Sequence, residues 1–240
     1  MSFIITMYVR EGIVMASDSR LTLNTEQKPT EKTVVQVAVG QSDSNYKTFL
    51  APNNIGISTY GAADINGVPI GGYIESFISE QLVDTNIIID DVPQKLLEYF
   101  RKFQLIPDTQ FHVAGYKDKD GKKEQLVWHV SIAQNKVGRL NPPGEQGSSW
   151  GGEADIFTRL IQPVGLLTPD GKLGQPLPYF QIPFQFFTLQ DAIDFCIFAV
   201  RSTSDAIRFQ PRPKTVGGPI DVLVIKPERV FWVQRKELHG

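Results

Sequence analysis

The order of strand and helix signals predicts an α+β fold, an αββα sandwich in which two antiparallel sheets carry helices on their outer faces. Three observations support this prediction. Hairpins open and close the chain, two pairs of helices interrupt the strands, and the strands lack the regular helical crossovers of a parallel sheet. The chain has 240 residues, 41% of them hydrophobic, and we expect a single domain over residues 1–240.

The first half of the chain predicts two hairpins followed by two helices. Alternating apolar residues indicate strands, the polar segment 21–32 indicates a loop, and "PNN" at residues 52–54 favours a turn. From about Asp64 the apolar period changes to that of a helix, and Pro93 suits the first turn of the next helix. The predicted strands are residues 3–9, 13–17, 33–39, 46–51 and 55–60, and the predicted helices are about 64–82 and 90–103.

The second half repeats this order. A loop rich in Pro, Gly and Ser precedes a short helix at 153–161, and residues 163–187 are expected to be irregular. Thr188 can cap a long helix, because Asp191 at its third position completes a capping box. The predicted strands are residues 110–117, 123–132, 136–140, 219–227 and 229–234.

Composition excludes several classes of function. The net charge is −2 and no block of like charges is present, which disfavours nucleic acid and anionic membrane surfaces as partners. No apolar run approaches the roughly 18 residues of a membrane span, and no signal peptide is recognisable. The single cysteine, Cys196, lies in the apolar run "AIDFCIFAV" and is expected to be a packed core residue. We therefore expect a cytoplasmic protein.

The sequence contains no CxxC, HExxH, P-loop or GxGxxG pattern. His112 and His129 fall in predicted strands, where a histidine with a satisfied hydrogen bond is more common than a metal ligand. We therefore expect no metal and no cofactor. Glycine pairs in "GGEAD" and "TVGGPID" predict tight turns.

Ser2 is the strongest candidate nucleophile. If Met1 is removed, which the small side chain of Ser2 favours, one residue carries both a hydroxyl and a free α-amine. An α-amine has an ordinary pKa of about 7.7–8.0, so it can act as a general base toward its own hydroxyl near neutral pH. Such a site also needs a positive charge near the amine, a carboxylate that fixes this charge, and N–H groups for an oxyanion.

The first hairpin supplies the carboxylate. Its first strand begins beside Ser2 and its second ends near Asp18, so these two residues are expected to lie side by side. Lys47, which opens the second hairpin, is the candidate positive charge, and Gly61 in "YGAAD" can offer N–H groups at a strand-to-helix junction. A purely structural alternative is that Asp18 and Arg20 form an ion pair that closes the hairpin.

These residues resemble a known family. "EGIVMASDSRLT" (residues 11–22) resembles the GxxxAxDSRxT signature of proteasome β-subunits and their bacterial relatives. "YKTFLAPNNIGISTYGAAD" (46–64) resembles their lysine strand and the turn that follows it, and "TVGGPIDVLVI" (215–225) resembles a late Gly-Gly turn. The resemblance extends from residue 2 to about residue 234.

The resemblance implies the four-layer N-terminal-nucleophile (Ntn) hydrolase fold and threonine-type peptidase chemistry, with serine in place of threonine. It places the nucleophile on Ser2, the lysine on Lys47, the oxyanion glycine on Gly61 and the signature residues on Asp18 and Arg20. It also implies a peptide or protein substrate and a homo-oligomeric ring, and it leaves room for an ATPase partner.

Three positions depart from the family pattern. Pro213 and Val216 stand where active subunits carry an Asp and a Ser that support the amine, and Ser149 is a displaced candidate for a third supporting residue. Two alternatives therefore stay open: a catalytically silent structural subunit of the same family, and an Ntn amidohydrolase that acts on a small amide.

Overall fold

Two five-stranded antiparallel sheets form the centre of the protein. The structure, a computed structural model, describes residues 2–30, 33–84 and 87–237. In chain order, the strands are β1 (Phe3–Val9), β2 (Gly12–Ser17), β3 (Leu21–Thr30), β4 (Thr33–Ser42), β5 (Thr48–Ala51), β6 (Ile55–Gly61), β7 (Asp64–Ile65), β8 (Val68–Pro69), β9 (Thr109–Lys119), β10 (Lys122–Ser131), β11 (Lys136–Arg139), β12 (Gly147–Gly152), β13 (Gly165–Leu167), β14 (Leu173–Pro176), β15 (Asp221–Ile225) and β16 (Val230–Gln234). The helices are α1 (Ile70–Gln81), α2 (Val92–Phe100), α3 (Asp155–Ile161) and α4 (Leu189–Arg208).

The two sheets draw on both ends of the chain. The first sheet has the order β12-β1-β2-β15-β16, so the N-terminal hairpin lies between a strand from the middle of the chain and a C-terminal hairpin. The second sheet has the order β11-β10-β9-β6-β5. Every pairing in them is antiparallel, as the sequence predicts.

Apolar residues define four layers. One buried cluster joins α1 and α2 to the second sheet, and another joins α3 and α4 to the first sheet. A third cluster, which includes Ile13, Met15 and Val127, lies between the two sheets. The mixed α/β class with antiparallel sheets is therefore confirmed.

Two expectations for side chains in these layers are also confirmed. Cys196 lies on α4 and is fully buried in the apolar cluster between this helix and the first sheet. This burial raises the pKa of its thiol. His112 bonds to Thr6 through Nδ1 at 3.0 Å, and Nε2 of His129 lies 2.9 Å from Gln110 Oε1. Both histidines thus have hydrogen-bond partners within the sheets.

Helix α4 begins as the sequence predicts. Thr188 accepts a hydrogen bond from the Asp191 backbone N–H at 3.2 Å, and the Asp191 carboxylate accepts one from the Thr188 backbone N–H at 2.8 Å. This reciprocal pair is a capping box, which satisfies two backbone donors at the start of the helix.

Four predictions of local structure are wrong, wholly or in part. The segment 21–32, expected to be a loop, contains strand β3, which pairs with β4 in a separate two-stranded ribbon. The loop expected before α3 contains strand β12, which pairs along β1. Helix α1 begins at Ile70, because residues 64–69 form the short pair β7–β8 instead. The irregular segment 163–187 also contains a small hairpin, β13–β14.

Within the described residues, no helix has both the length and the apolar character needed to cross a membrane.

Candidate active site

Ser2, Arg20 and Lys47 line one small cavity at the end of the sandwich where β1 begins. The cavity has a volume of about 20 Å³, which is room for one water molecule. Its remaining wall comes mainly from the end of β6 and the start of α1, including Tyr60 and Ile70. The hydroxyl-bearing residue and the lysine predicted from the sequence therefore face a common space. Met1, whose removal the nucleophile requires, lies outside the described residues.

Asp18 is fully buried and accepts four hydrogen bonds. Its Oδ1 accepts from the Phe3 backbone N–H at 3.0 Å and from the Lys47 ammonium at 2.7 Å. Its Oδ2 accepts from the backbone N–H groups of Arg20 at 3.1 Å and Gly217 at 3.0 Å. Because a carboxylate has about four acceptor positions, these donors fix the orientation of the Asp18 side chain.

The first hairpin explains why Asp18 lies beside Ser2. Strand β2 ends at Ser17, and the Asp18 backbone N–H donates to the Phe3 carbonyl at 3.3 Å. Asp18 thus stands opposite the first residues of β1. The apolar strand β2 ends in the polar sequence Ser17-Asp18-Ser19-Arg20, and this change places a carboxylate at the end of the sheet.

Lys47 is almost fully buried and has two acceptors. Its ammonium donates to Asp18 Oδ1 and, at 2.6 Å, to the carbonyl oxygen of Arg20. Burial lowers the pKa of Lys47 below its ordinary value of 10.5, although the neighbouring Asp18 carboxylate acts in the opposite direction. The two acceptors fix the Lys47 side chain beside the cavity that Ser2 also lines.

Arg20 does not form the ion pair with Asp18 that the structural alternative expected. Its guanidinium instead makes a bidentate pair with Asp43, with both N–O distances at 2.7 Å. The hydrogen bond from Arg20 is the main reason why the pKa of Asp43 is lowered. Gly217 packs against this guanidinium so closely that a Cβ there would lie 2.5 Å from Arg20 Cζ. Arg20 therefore contributes its backbone to the site and its side chain to the surrounding loop.

Gly61 ends β6 with a positive φ of 103°, and a Cβ there would lie 2.4 Å from the Asp108 carbonyl oxygen. Thr59, two residues earlier, donates its backbone N–H to the Lys47 carbonyl at 2.8 Å. In a strand, the backbone N–H groups of every second residue point to the same side. The Gly61 N–H therefore points, like that of Thr59, to the β5 side of β6, at a level beyond the first residue of β5. This side is where Lys47 and Tyr60 line the cavity.

A second buried ion pair lies close to the first. Lys236 pairs with Asp221, and its ammonium lies 4.2 Å from the centre of the Tyr46 ring. The positive charge of Lys236 contributes to the lowering of the Lys47 pKa. Neither residue has a distinctive sequence signal, because Asp221 opens an ordinary hairpin strand and Lys236 follows that hairpin.

Three positions depart from the family pattern, Ser149, Val216 and Pro213. Their contacts are with residues other than Ser2. Ser149 pairs with Thr6 in the β1–β12 register, four residues along β1 from Ser2. Val216 belongs to the apolar cluster below α4, and the Pro213 carbonyl accepts the Thr215 backbone N–H.

Glu153 contacts Ser2 directly, although it was not among the candidate site residues predicted from the sequence. Its backbone N–H donates to the Ser2 carbonyl oxygen at 2.8 Å. The only sequence signal was the glycine pair in "GGEAD", which predicts a close approach of backbones but does not reveal the partner.

Among the described residues, no group of three or more His, Cys, Asp or Glu side chains is arranged to hold a metal ion. Neither a comparison of the sequence with protein-family models nor a search of curated proteins gives a match. An assignment of function therefore rests on the geometry of Ser2 and its neighbours.

Proposed function

We propose that this chain is an Ntn hydrolase of the proteasome β-subunit type, in which Ser2 cleaves peptide amide bonds. The observation that carries the proposal is the buried Lys47–Asp18 pair, whose lysine lines the same cavity as Ser2. A buried ion pair adds little stability compared with apolar residues of the same volume. A buried charge with a perturbed pKa next to a hydroxyl in a cavity is typical of a functional site.

The first half of the reaction forms an ester on Ser2. After cleavage of the Met1–Ser2 bond, the Ser2 hydroxyl oxygen attacks the carbonyl carbon of the substrate amide, and the hydroxyl proton passes to the Ser2 α-amine. The Lys47 ammonium lowers the pKa of this amine, so that a larger fraction is unprotonated near neutral pH. The electron pair of the carbonyl bond moves to its oxygen, and the Gly61 N–H is the donor proposed to stabilise this oxyanion.

The second half releases the products. The tetrahedral intermediate collapses, the carbon–nitrogen bond breaks, and the Ser2 ammonium gives its proton to the leaving amine. A water molecule then attacks the ester carbon and passes one proton to the same α-amine. Cleavage of the ester releases the acid and returns that proton to the Ser2 oxygen. Throughout, Asp18 holds Lys47, and the Arg20 carbonyl fixes the second hydrogen bond of the ammonium.

Exposed apolar side chains support the proposal that the chain assembles into a homo-oligomer, with a ring as the arrangement that the resemblance implies. In the β13–β14 hairpin, Leu167 and Leu173 are 71% and 78% exposed, and Phe180 beyond it is 87% exposed. Grouped exposed apolar residues commonly mark a protein–protein contact. Native mass spectrometry of the full chain tests this, and a monomer at micromolar concentration would contradict it.

Substitution of Ser2 tests the proposed reaction. We expect Ser2→Ala to abolish hydrolysis of fluorogenic peptide amides and labelling by a β-lactone electrophile, whereas Ser2→Thr retains both because it keeps a hydroxyl beside the amine. Intact-mass measurement of each protein shows whether Met1 has been removed. Unchanged hydrolysis by Ser2→Ala would exclude this mechanism. Complete retention of Met1 on protein from the native host would instead favour the catalytically silent subunit.

A further inference from the structure

Two acidic residues contact the first residues of β1 from opposite sides. On one side, Asp18 accepts the Phe3 backbone N–H, and on the other, Glu153 donates its backbone N–H to the Ser2 carbonyl. The Asp18 carboxylate already accepts four hydrogen bonds. The Glu153 carboxylate accepts two, from the Thr215 hydroxyl at 2.8 Å and from Arg212 at 3.4 Å. Glu153 therefore has acceptor capacity left, whereas Asp18 has none.

The Ser2 nitrogen lies on the same side of β1 as Glu153. Phe3 pairs with Gly152 in the antiparallel β1–β12 ladder, so Ser2 stands opposite Glu153 one step further along. The 2.8 Å bond from Glu153 N to Ser2 O shows that the Ser2 carbonyl points to the β12 side of β1, and in an antiparallel strand the nitrogen of the same residue points to that side too. Side chains of residues directly opposite each other have Cβ atoms about 4.5–5.5 Å apart.

The backbone at Gly152 keeps these two strands in close contact. Gly152 has a φ of 93°, and a Cβ there would lie only 1.8 Å from the Ser2 carbonyl oxygen. No residue with a side chain fits this approach without a shift of the backbone, so the loop that carries Glu153 is held against Ser2 at a fixed distance.

We propose that Glu153 is the carboxylate that holds the Ser2 α-amine in the mature chain, with Thr215 and Arg212 as the residues that position it. The inference rests on the proposed function and extends it. The Glu153 carboxylate stabilises the ammonium form of the amine, while Lys47 acts in the opposite direction. In this proposal the carboxylate that supports the amine comes from the loop after β12. The family resemblance would place the supporting side chains at positions 213 and 216, which are Pro213 and Val216 here.

The charged groups around this amine come from several elements. Asp18 and Arg20 follow β2, Lys47 precedes β5, and Glu153 follows β12. The remaining groups lie one or two contacts further away: Asp43 on Arg20, Arg212 on Glu153, Asp155 on Arg212, and the pair Lys236–Asp221 beside Lys47.

The test measures the pKa of the Ser2 amine directly. The full chain is released from a cleavable fusion so that it begins at Ser2, and the pH dependence of amine acylation by acetic anhydride is followed by mass spectrometry. We expect Glu153→Gln, which keeps an acceptor for Thr215, to lower the pKa of the Ser2 amine by about 1 unit. The acid limb of kcat/KM for peptide amides moves to lower pH by the same amount, and Glu153→Asp restores at least part of the shift.

Asp155→Asn is the matched control. Asp155 pairs with the same Arg212 at 3.1 Å but does not contact Ser2. This variant removes an equal charge from the neighbourhood, and we expect it to leave the pKa of the Ser2 amine unchanged. Equal shifts in Glu153→Gln and Asp155→Asn, or no shift in Glu153→Gln, would overturn the inference. Thermal unfolding of each variant shows that the compared proteins are folded.

The amine titration separates this inference from the proposed function, because it requires no turnover. If the wild-type chain hydrolyses nothing but Glu153→Gln still lowers the pKa of the amine, the proposed function fails and the role of Glu153 stands. If hydrolysis depends on Ser2 and the pKa does not change in Glu153→Gln, the inference about Glu153 alone fails.

Discussion

Two aspartates near the cavity each pair with a basic side chain, but in very different surroundings. Asp18 is fully buried with Lys47, whereas the side chain of Asp43 is 39% exposed beside Arg20. Water screens the second pair and leaves the first almost unscreened, so similar distances of 2.7 Å correspond to unequal contributions to stability.

Alanine substitutions of these two aspartates measure the difference. We expect Asp18→Ala to lower the free energy of unfolding by about 3–5 kcal/mol, because it leaves the Lys47 ammonium buried without a counter-charge. Asp43→Ala is expected to cost less than about 1 kcal/mol. Urea denaturation at neutral pH gives both values, and equal losses would show that burial does not distinguish the pairs.

Residues that are close in sequence were the part of the site that the sequence could predict. A hairpin places Asp18 beside Ser2, and the spacing of the second hairpin suggested Lys47. Gly217 and Glu153 could not be found in this way, because both lie far along the chain: Gly217 donates its backbone N–H to Asp18, and Glu153 donates its own to the Ser2 carbonyl. A backbone donor leaves no residue-type signal.

At the scale of elements, the hairpins and α4 were predicted correctly because their signals are local. Strand β12 was missed because its sequence, GSSWGG, has the composition of a loop. It becomes a strand through its pairing with the buried β1, and strand propensity depends strongly on such a partner. Strand β3 was missed for a related reason, since it pairs only with β4 in a two-stranded ribbon.

The end of β12 gives a prediction about element geometry. We expect Gly152→Ala to lower the free energy of unfolding by about 3 kcal/mol or more and to reduce hydrolysis, since the new Cβ must displace the Ser2 carbonyl. Gly121→Ala, in the β9–β10 turn, is the control: its φ of 75° is also positive, but nothing lies within 4 Å of the added Cβ. Its cost is about 1–2 kcal/mol from backbone strain alone.

Thermal denaturation and peptidase assays of both variants check this prediction. If Gly121→Ala destabilised the protein as much as Gly152→Ala, positive φ would explain both effects and the close contact with Ser2 would not be needed.

At the scale of the whole molecule, the layered arrangement was predictable because it follows from the order of elements. The order of elements did not reveal one polar contact that is buried between the sheets. His112 on β9 reaches across to Thr6 on β1, and burial lowers the pKa of His112 to about 3. Such a contact depends on the way in which two sheets stack, which no segment of sequence specifies alone.

Acid titration of stability tests this contact. In the unfolded chain His112 binds a proton near pH 6.5, whereas in the folded protein it remains neutral down to about pH 3. Between these values the unfolded state holds more protons, so stability falls as the pH is lowered, by at most about 1.4 kcal/mol per pH unit from this group.

His112→Asn keeps a hydrogen-bonding group for Thr6 but does not titrate in this range. We expect its unfolding free energy to decline less steeply than that of the wild type from pH 6.5 to 3, as measured by urea denaturation at a series of pH values. Parallel curves for the two proteins would contradict the assignment.

The Gly217 contact with Asp18 also bears on the order of events during synthesis. Ser2 leaves the ribosome before Gly217, one of the donors that fix Asp18, which lies 199 positions after that aspartate. At about 5–20 residues per second, Ser2 is made roughly 10 to 40 seconds before Gly217. The N-terminal amine can therefore be exposed on a nascent chain while the surroundings proposed to activate it are incomplete, which would protect unfinished chains from their own nucleophile.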